Sequence, residues 1–186
     1  MVRHVAESPL VIGVSPSTRF AAEAKGKSYA EVLMQPGVKI GRTDPAKDPK
    51  GALTVEFLKK VDKPELAKSV LEHSSVLPEE ALVKKVQAGE VDVGFFHSVE
   101  TTDAGLTAID LPAGITPKAI YALTILQNAP SPDGAQKFIL FLLGSKGLAR
   151  LKEHGLSLIG LQLTGADASV PQAIRALVPE VKAAAA

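Results

Sequence analysis

The residues with the best placement for chemistry lie in three loops of the predicted fold. The first loop covers residues 43–51, the second covers 75–81 and the third covers 96–103. Each loop lies at the carboxyl end of a predicted strand or at the amino end of a predicted helix. Small ligands bind at such positions in open α/β sheets, and the unpaired N–H groups of a helix start attract anions. Together the loops predict an anion pocket lined by backbone dipoles.

The first loop has two interpretations, because a helix is predicted to begin where the loop ends. In one, the backbone N–H groups around Lys50, Gly51 and Ala52 face an anion, and glycine lets the backbone approach the ligand closely. In the other, Asp48 only caps the helix and Pro49 occupies its first turn. Without knowledge of related proteins, the residues themselves favour the second interpretation, in which Asp48 only caps the helix.

The other two loops also permit both a structural and a binding interpretation. In the second loop, Glu79 and Glu80 would repel an anion at the helix start unless they point outward, which favours a capping role. The third loop begins with Phe96, His97 and Ser98 directly after a predicted strand. Its hydroxyl groups suit hydrogen bonding to a ligand, but an ordinary Ser/Thr helix cap explains them equally well.

Motifs for catalysis or metal binding are absent from the sequence or wrongly spaced. The chain has no cysteine, which excludes thiol catalysis and Cys-ligated zinc, and its four histidines form no HxxxH pair. There is no GxSxG motif, and Gly26-Lys27-Ser28 lacks the first glycine of a phosphate loop. An enzyme would need a buried acid or a nucleophilic lysine, and Lys50 is the one lysine expected near the pocket. We therefore predict no catalytic residues, no resident metal ion and no cofactor.

Composition restricts the classes of partner. The 186 residues are 46% hydrophobic and 22% charged, which suits one domain or two small lobes with a sizeable core. Lys plus Arg number 21 against 20 for Asp plus Glu, and there is no tryptophan, so we expect no nucleic-acid partner. The first nine residues lack the apolar segment of a signal peptide, and the apolar run 138–143 is too short to span a bilayer.

Hydrophobic patterns separated by turn residues predict strands that alternate with helices. Strands are expected at 10–14, 38–41, 91–96, 108–111, 120–126 and 156–161. Helices are expected within 21–33, through the stripe Leu53, Phe57 and Val61, from Pro64, and within 77–89, 131–142, 145–154 and 170–182. This alternation predicts an α/β fold with a mostly parallel sheet.

Several segments together resemble one known family. They are PLVIGVSP (9–16), GRTDP (41–45), DPKG (48–51), GEVDVGFFHS (89–98), AIDLP (108–112) and the helix around 138–145. In this order and spacing the sequence resembles the solute-binding proteins of molybdate/tungstate ABC transporters, in the type II periplasmic-binding superfamily. The resemblance covers nearly the whole chain.

The resemblance implies two α/β lobes, joined by a hinge, that close on an oxyanion between them. Residues 17–105 would form the second lobe, and 1–16 with 106–186 a partial first lobe, with hinge crossings near 14–16 and 106–111. Family members begin with a signal peptide, a first strand and two serine-bearing loops, whereas here the resemblance starts at the crossing strand. We therefore expect an incomplete first lobe, and at most half of the binding site.

The resemblance also implies which residues hold the oxyanion. The loop at 48–52 would supply N–H donors, and the tungstate-selective branch of the family uses an acidic side chain near Asp48 as a direct ligand. The molybdate branch carries a tyrosine at the position of Phe96, so His97 or Ser98 would have to replace its hydroxyl. The full implied set is Asp48, Lys50, Gly51, Glu79, Glu80, Phe96, His97 and Ser98.

The function implied by the resemblance is that of the substrate-binding component of an ABC importer, with molybdate or tungstate as ligand. Its expected partners are a membrane permease and a chain that supplies the missing first-lobe segment, in the periplasm or outside the cell. Two alternatives stay open at this point: a ligand-sensing regulatory domain of the same fold, and a truncated remnant that binds nothing. The preferred oxyanion and the oligomeric state do not follow from the sequence.

Overall fold

The computed structural model describes residues 2–18, 20–24, 26–164 and 172–176. The chain folds into two compact units. The larger unit is Pro9–Ala119, and the smaller unit combines Met1–Ser8 with Ile120–Ala186. The first strand, β1 (Val2–Val14), runs through the boundary at Pro9 and contributes to the sheets of both units.

The larger unit is built on a sheet with the strand order β3-β2-β4-β1-β5. Strand β2 (Ile40–Arg42) pairs in parallel with β3 (Ser75–Val76) and with β4 (Val93–His97). Strand β1 pairs antiparallel with β4 and with β5 (Thr107–Asp110). The α/β class is confirmed, and the sheet is mixed, because β2 pairs in parallel with its neighbours whereas β1 pairs antiparallel with β4 and β5. Hydrophobic periodicity marks buried strands, but it does not fix their directions.

Helices pack on both faces of this sheet. Leu10 and Ile12 of β1 share one buried cluster with residues of the second to fourth helices, whereas Val11 faces the other side and packs with Leu82 and Val86 of the fifth. Alternate residues of one strand are therefore buried on opposite faces, as expected for a covered sheet. The helices are α1 (Phe20–Ala24), α2 (Tyr29–Leu33), α3 (Pro49–Lys60), α4 (Pro64–His73), α5 (Glu79–Gln87) and α6 (Ser98–Ala104).

Local sequence signals explain where these helices begin. Pro49 and Pro64 occupy the first helical positions of α3 and α4. Proline is suited to this position because a backbone N–H there would have no partner within the helix. Between residues 21 and 33 the structure has two short helices rather than one, because Ser28 and Glu31 form a capping box that starts α2 afresh.

The smaller unit packs helices on its own strands. The first half of β1 pairs antiparallel with β7 (Ser157–Thr164), and β6 (Lys118–Leu123) also pairs with β1. The helices are α7 (Pro132–Leu143), α8 (Ser145–Glu153) and α9 (Gln172–Ala176). Its buried cluster consists of Val5, Ala6, Ile139, Leu143, Leu148, Leu158 and Ile174.

The smaller unit also exposes large apolar side chains on β6, on α7 and between them. We call this set the apolar surface: Ile120, Tyr121, Leu126, Phe138 and Phe141. Phe138 and Phe141 are each more than 60% exposed, and they stand three residues apart on α7, so they share one side of that helix. None of the described helices has both the length and the apolar character needed to cross a bilayer.

Two strands differ from the expectation drawn from the sequence. Strand β1 begins at Val2 rather than Leu10, because it continues through polar residues that pair with β7. Strand β3 was not expected, and it consists of two residues that are both exposed. The helix expected within 170–182 is present as Gln172–Ala176, and the rest of that range lies outside the described residues.

The two compact units do not coincide with the expected lobes. Residues 9–16 and 106–119 belong to the larger unit because the second half of β1 pairs with β4 and β5. The lobe division at 17–105 and the hinge crossings near 14–16 and 106–111 concern relative movement, which packing alone does not test. They stay predictions.

Candidate functional site

A cavity of about 400 Å³ lies in the larger unit, where two helices begin. One wall is the loop that leads into α3, and the other is the segment from β3 into the first residue of α5. Both helix starts present the positive ends of their dipoles to this region. The lining residues are Thr43, Asp44, Lys47, Asp48, Pro49, Val76, Leu77, Pro78 and Glu79.

The backbone around the cavity is fixed by short-range pairing and by one glycine. The N–H of Leu77 donates to the carbonyl of Arg42 at 2.9 Å, which extends the β2–β3 pairing to the edge of the cavity. A Cβ atom on Gly51 would lie 2.7 Å from backbone atoms of Thr43, Asp44 and Pro45. Glycine is therefore required at position 51 so that the loop can pack directly against α3.

Lys50 links the starts of three helices. Its side chain is only 2% exposed, and its Nζ atom lies 2.5 Å from Oε1 of Glu100 in α6 and 3.6 Å from Oε1 of Glu79 in α5. The same ammonium lies 5.3 Å from the centre of the Phe96 ring. A buried ammonium needs such partners, because an isolated buried charge is very costly. Lys50 therefore joins α3 to α6 through a buried ion pair and also approaches the start of α5.

Two buried polar atoms beside these groups have no hydrogen-bond partner among the described residues. One is the hydroxyl oxygen of Thr43, a residue that is 1% exposed and lines the cavity. The other is Nδ1 of His97, whose backbone N–H donates to Oε2 of Glu100 at 2.6 Å. Buried polar groups in folded proteins nearly always bind a protein group or an ordered water, so the unpaired Thr43 hydroxyl can bind a water or a ligand.

The His97 side chain is held in its neutral form. Burial lowers the pKa of His97, and the neighbouring Lys50 ammonium lowers it further, while Asp48 and Glu79 act in the opposite direction. At neutral pH the imidazole is therefore uncharged, and Nδ1 can donate or accept one hydrogen bond according to its tautomer.

The charges on the cavity wall are mainly negative. Three carboxylates line it, from Asp44, Asp48 and Glu79, against the single ammonium of Lys47. Two of these carboxylates are engaged by the loop itself: Asp44 accepts from the N–H of Ala46 at 2.9 Å, and Asp48 accepts from the N–H of Lys50 at 2.8 Å. Glu79 is the lining carboxylate that is directed to Lys50.

Comparison with known families identifies the chain. The model of a family described as "Bacterial extracellular solute-binding protein" matches residues 1–157. This chain belongs to that family. Membership gives a context for the cavity and for the unpaired hydroxyl of Thr43.

Two relatives match this chain over only part of their own length. An uncharacterized solute-binding protein of Petrotoga mobilis is 27% identical, over 81% of this chain and 59% of that protein. A molybdate/tungstate-binding protein of Thermococcus kodakarensis is 25% identical, over 93% of this chain and 64% of that protein. The chain therefore spans less than two thirds of the length of these relatives.

Solved structures confirm the fold of this solute-binding protein. The periplasmic molybdate-binding protein of Azotobacter vinelandii superimposes with a TM-score of 0.64 at 18% identity, covering 88% of this chain and 68% of that one. PEB3 of Campylobacter jejuni with bound L-phospholactate gives a TM-score of 0.68 at 10% identity, covering 83% and 67%. At these identities the likeness concerns the fold alone.

The predicted site residues of the first loop lie close together, and some of their backbone N–H groups already donate hydrogen bonds within the protein. Asp48 lines the cavity and caps α3, as the structural interpretation of this loop expected. The N–H of Lys50 donates to that cap, and the N–H of Ala52 donates to the Asp48 carbonyl at 3.2 Å. Gly51 packs against the loop backbone. Contact of these residues with an oxyanion stays a prediction.

The other predicted site residues are divided between the cavity and its surroundings. Glu79 lines both the cavity and a groove between α5 and α6, whereas Glu80 lines the groove and not the cavity. Phe96 is fully buried in the core beneath Lys50. His97 and Ser98 form the start of α6, where the Ser98 carbonyl accepts the Thr101 hydroxyl at 2.8 Å. Their contact with a ligand also stays a prediction.

The segment Val76–Pro78 forms one wall of the cavity and belongs to the loop 75–81 that the sequence predicted for the pocket. Sequence reasoning missed one contact that fixes this site. Glu100 is the closest partner of Lys50, fifty positions away in the chain. Its spacing of three residues from His97 is that of a capping box, and this local signal could have identified Glu100 as a fixed carboxylate.

Proposed function

We propose that this protein is the substrate-binding component of an ABC importer and that the cavity at the start of α3 contacts a molybdate- or tungstate-type oxyanion. The observation that carries the proposal is the buried, unpaired hydroxyl of Thr43, a residue that lines the cavity. A hydroxyl can donate one hydrogen bond to an oxyanion, and two helix starts add favourable dipoles at the same place. In this role the protein binds its solute without catalysis.

The relatives support this choice of ligand and partners. The protein of Thermococcus kodakarensis is named for binding molybdate and tungstate, and the structural neighbour from Azotobacter vinelandii for binding molybdate in the periplasm. We propose by analogy that the present protein works outside the cytoplasmic membrane and delivers its ligand to a membrane permease. The cavity of the larger unit would be part of the binding surface.

Calorimetric titration with molybdate and tungstate, with sulfate as the competing anion, tests the proposal. We expect heat of binding with a metal oxyanion, and a loss of about tenfold or more in affinity for Thr43→Val, because one hydrogen bond to a charged group is removed. Unfolding in urea should show that Thr43→Val is as stable as the parent protein, since valine replaces an unpaired buried hydroxyl without loss of volume.

The matched control is Thr54→Val in α3. The Thr54 hydroxyl is also buried, but it donates to the Lys50 carbonyl at 2.9 Å. This variant should lose stability and keep its affinity, the reverse of the result at Thr43. Absence of heat from the folded parent protein with every oxyanion would contradict present activity and favour the remnant interpretation. Unchanged affinity in Thr43→Val would contradict the assignment of the cavity.

We further propose that another polypeptide segment packs on the apolar surface of the smaller unit, supplied by a partner chain. Five large apolar side chains are exposed there, and this chain spans less than two thirds of the length of these relatives. Phe138 and Phe141 share one side of α7, and exposed apolar side chains grouped in this way are typical of a protein interaction surface. The segment would complete the first lobe that the family resemblance implies.

Replacing Phe138 and Phe141 together by serine tests this surface. Both side chains are mostly exposed, so we expect little change in thermal stability, but binding of the dye ANS should fall by roughly half and self-association at high concentration should decrease. Met34→Ser is the control, because Met34 is an exposed apolar residue of the larger unit. Unchanged ANS binding in the double variant would show that Phe138 and Phe141 are not part of an apolar surface that binds the dye.

A further inference from the structure

We propose that a second cavity, in the smaller unit, receives one large apolar side chain from the partner segment and thereby anchors it. The inference rests on the partner segment proposed above and states how that segment is recognised. We call this cavity the anchor pocket. It has a volume of about 210 Å³ and is lined by Val5, Ala6, Tyr121, Ala122, Leu123, Leu142, Leu151 and Leu156.

The lining of the anchor pocket selects an apolar occupant. Seven of its eight residues have hydrocarbon side chains, and the eighth is Tyr121. An apolar group gains free energy when it leaves water for such a lining. An oxyanion, or any other charged group, would lose its hydration there without a compensating partner. The anchor pocket is therefore a different kind of site from the cavity at the start of α3.

The size of the anchor pocket fits a single side chain. Protein interiors contain few voids larger than a water molecule, because their side chains pack closely. An apolar cavity of about 150 Å³ is enough to hold a benzene molecule. The anchor pocket, at about 210 Å³, can therefore hold an aromatic ring or a branched aliphatic side chain.

The anchor pocket extends from the buried cluster of the smaller unit to its surface. Val5 at one end is 3% exposed, whereas Tyr121 is 40% exposed and Ala122 beside it is also exposed. Tyr121 belongs to the apolar surface as well, so the pocket is continuous with the surface on which the partner segment packs. An apolar side chain that fills a pocket within an apolar surface is the usual anchor of a protein interface.

The source that we assign to this side chain is polypeptide, rather than a free small molecule. The chain spans 59% and 64% of the length of two relatives, which therefore contain further polypeptide beyond the matched part. A segment of that kind, lying across the apolar surface, would bring its side chain to the open end of the anchor pocket. The exposed position of Ala122 leaves room there for the backbone of the segment.

Nuclear magnetic resonance of the whole chain with labelled leucine methyl groups tests the pocket, with toluene as the probe. We expect saturable shifts, at millimolar toluene, in the methyl signals of the four leucines that line the anchor pocket. The methyl signals of Leu58 and Leu82, which are buried in the larger unit, should not move. Absence of shifts at the pocket leucines of the folded protein would overturn the inference.

Ala122→Leu should weaken toluene binding by about tenfold or more, because the added carbon atoms occupy the pocket. Ala88→Leu is the matched control: it adds the same atoms at an exposed position that ends α5 in the larger unit, and its toluene affinity should stay within about twofold of the parent. Equal toluene affinity in the two variants would place the bound toluene elsewhere and overturn the assignment of the pocket.

A second pair of probes distinguishes a side chain from a free small molecule. N-acetylphenylalaninamide carries an aromatic side chain on a peptide backbone, and N-acetylalaninamide carries the same backbone groups without it. We expect the first compound to shift the signals of the pocket leucines and the second to leave them unchanged. Shifts with toluene but not with N-acetylphenylalaninamide would show that the pocket excludes a side chain held by a backbone, and would overturn the proposed occupant.

These measurements are independent of the tests of the proposed function. Absence of toluene binding in a protein that binds molybdate or tungstate would overturn this inference alone. Absence of oxyanion binding would overturn the proposed solute and leave the anchor pocket in place. Phe138 and Phe141 do not line the pocket, so ANS binding reports on the apolar surface and toluene binding reports on the pocket.

Discussion

Replacing Lys50 by methionine should lower the free energy of unfolding by about 3 kcal/mol, because it leaves a largely buried carboxylate without its counter-ion. Methionine fills nearly the same volume as the lysine stem, so a cavity is not the cause. The uncompensated group is Glu100, which is 17% exposed and 2.5 Å from the ammonium. Its remaining exposure places the expected loss at the low end of the range for buried pairs. Urea unfolding at neutral pH measures it.

The controls for this prediction distinguish the effect of burying an ion pair from the effect of the distance between its charged atoms. Lys60 and Glu56 form an ion pair of almost the same length, 2.6 Å, but about half of each side chain is exposed. Lys60→Met should therefore cost only about 0.5 kcal/mol. Combining Lys50→Met with Glu100→Gln should recover most of the lost stability, because neither partner then carries a buried charge. Similar decreases in the free energy of unfolding for Lys50→Met and Lys60→Met would refute the structural role given to the buried Lys50–Glu100 pair.

Replacing Gly51 by alanine should also destabilise the protein, by about 2 kcal/mol, although alanine favours helices more than glycine does. The new methyl group would lie 2.7 Å from backbone atoms of three successive residues, and backbone cannot rotate away as a side chain can. The displaced loop carries Thr43 and Asp44, so oxyanion affinity should fall as well. Urea unfolding and calorimetry measure the two effects.

Gly114→Ala is the control for Gly51→Ala. A Cβ atom on Gly114 would meet no other atom within 4 Å, so this variant should keep both its stability and its affinity. Comparable stability of Gly51→Ala and the parent protein would mean that the loop relaxes freely and that contact with the helix does not position it.

The features that sequence analysis predicted well depend on nearby residues. The start of α3 follows from Asp48 and Pro49, and the structure shows both the cap and the proline in the first turn. The start of α4 at Pro64 follows in the same way. The buried strand 91–96 follows from its run of apolar residues, and β4 occupies Val93–His97. A cap or a strand pattern is a property of a few consecutive residues, so it can be found without knowledge of the fold.

The features that were missed depend on residues far apart in the chain. The first half of β1 contains Arg3, His4 and Glu7, and their polar character hides a strand that is held by pairing with β7. The pairing of Lys50 with Glu100 joins positions fifty residues apart. The unpaired hydroxyl of Thr43 is a property of everything that surrounds it in space, and no pattern of residues can indicate that a partner is missing.

The division of β1 at Pro9 affects how its backbone opens to solvent. Residues before Ser8 pair with β7, and residues from Leu10 onward pair with β4 and β5. Proline has no amide hydrogen, so the row of exchangeable hydrogens is interrupted where the strand changes partners. Transient unfolding of the smaller unit can then release the amides of 2–7 to deuterium while those of 10–14 stay protected. In hydrogen exchange this single strand would count as two cooperative segments.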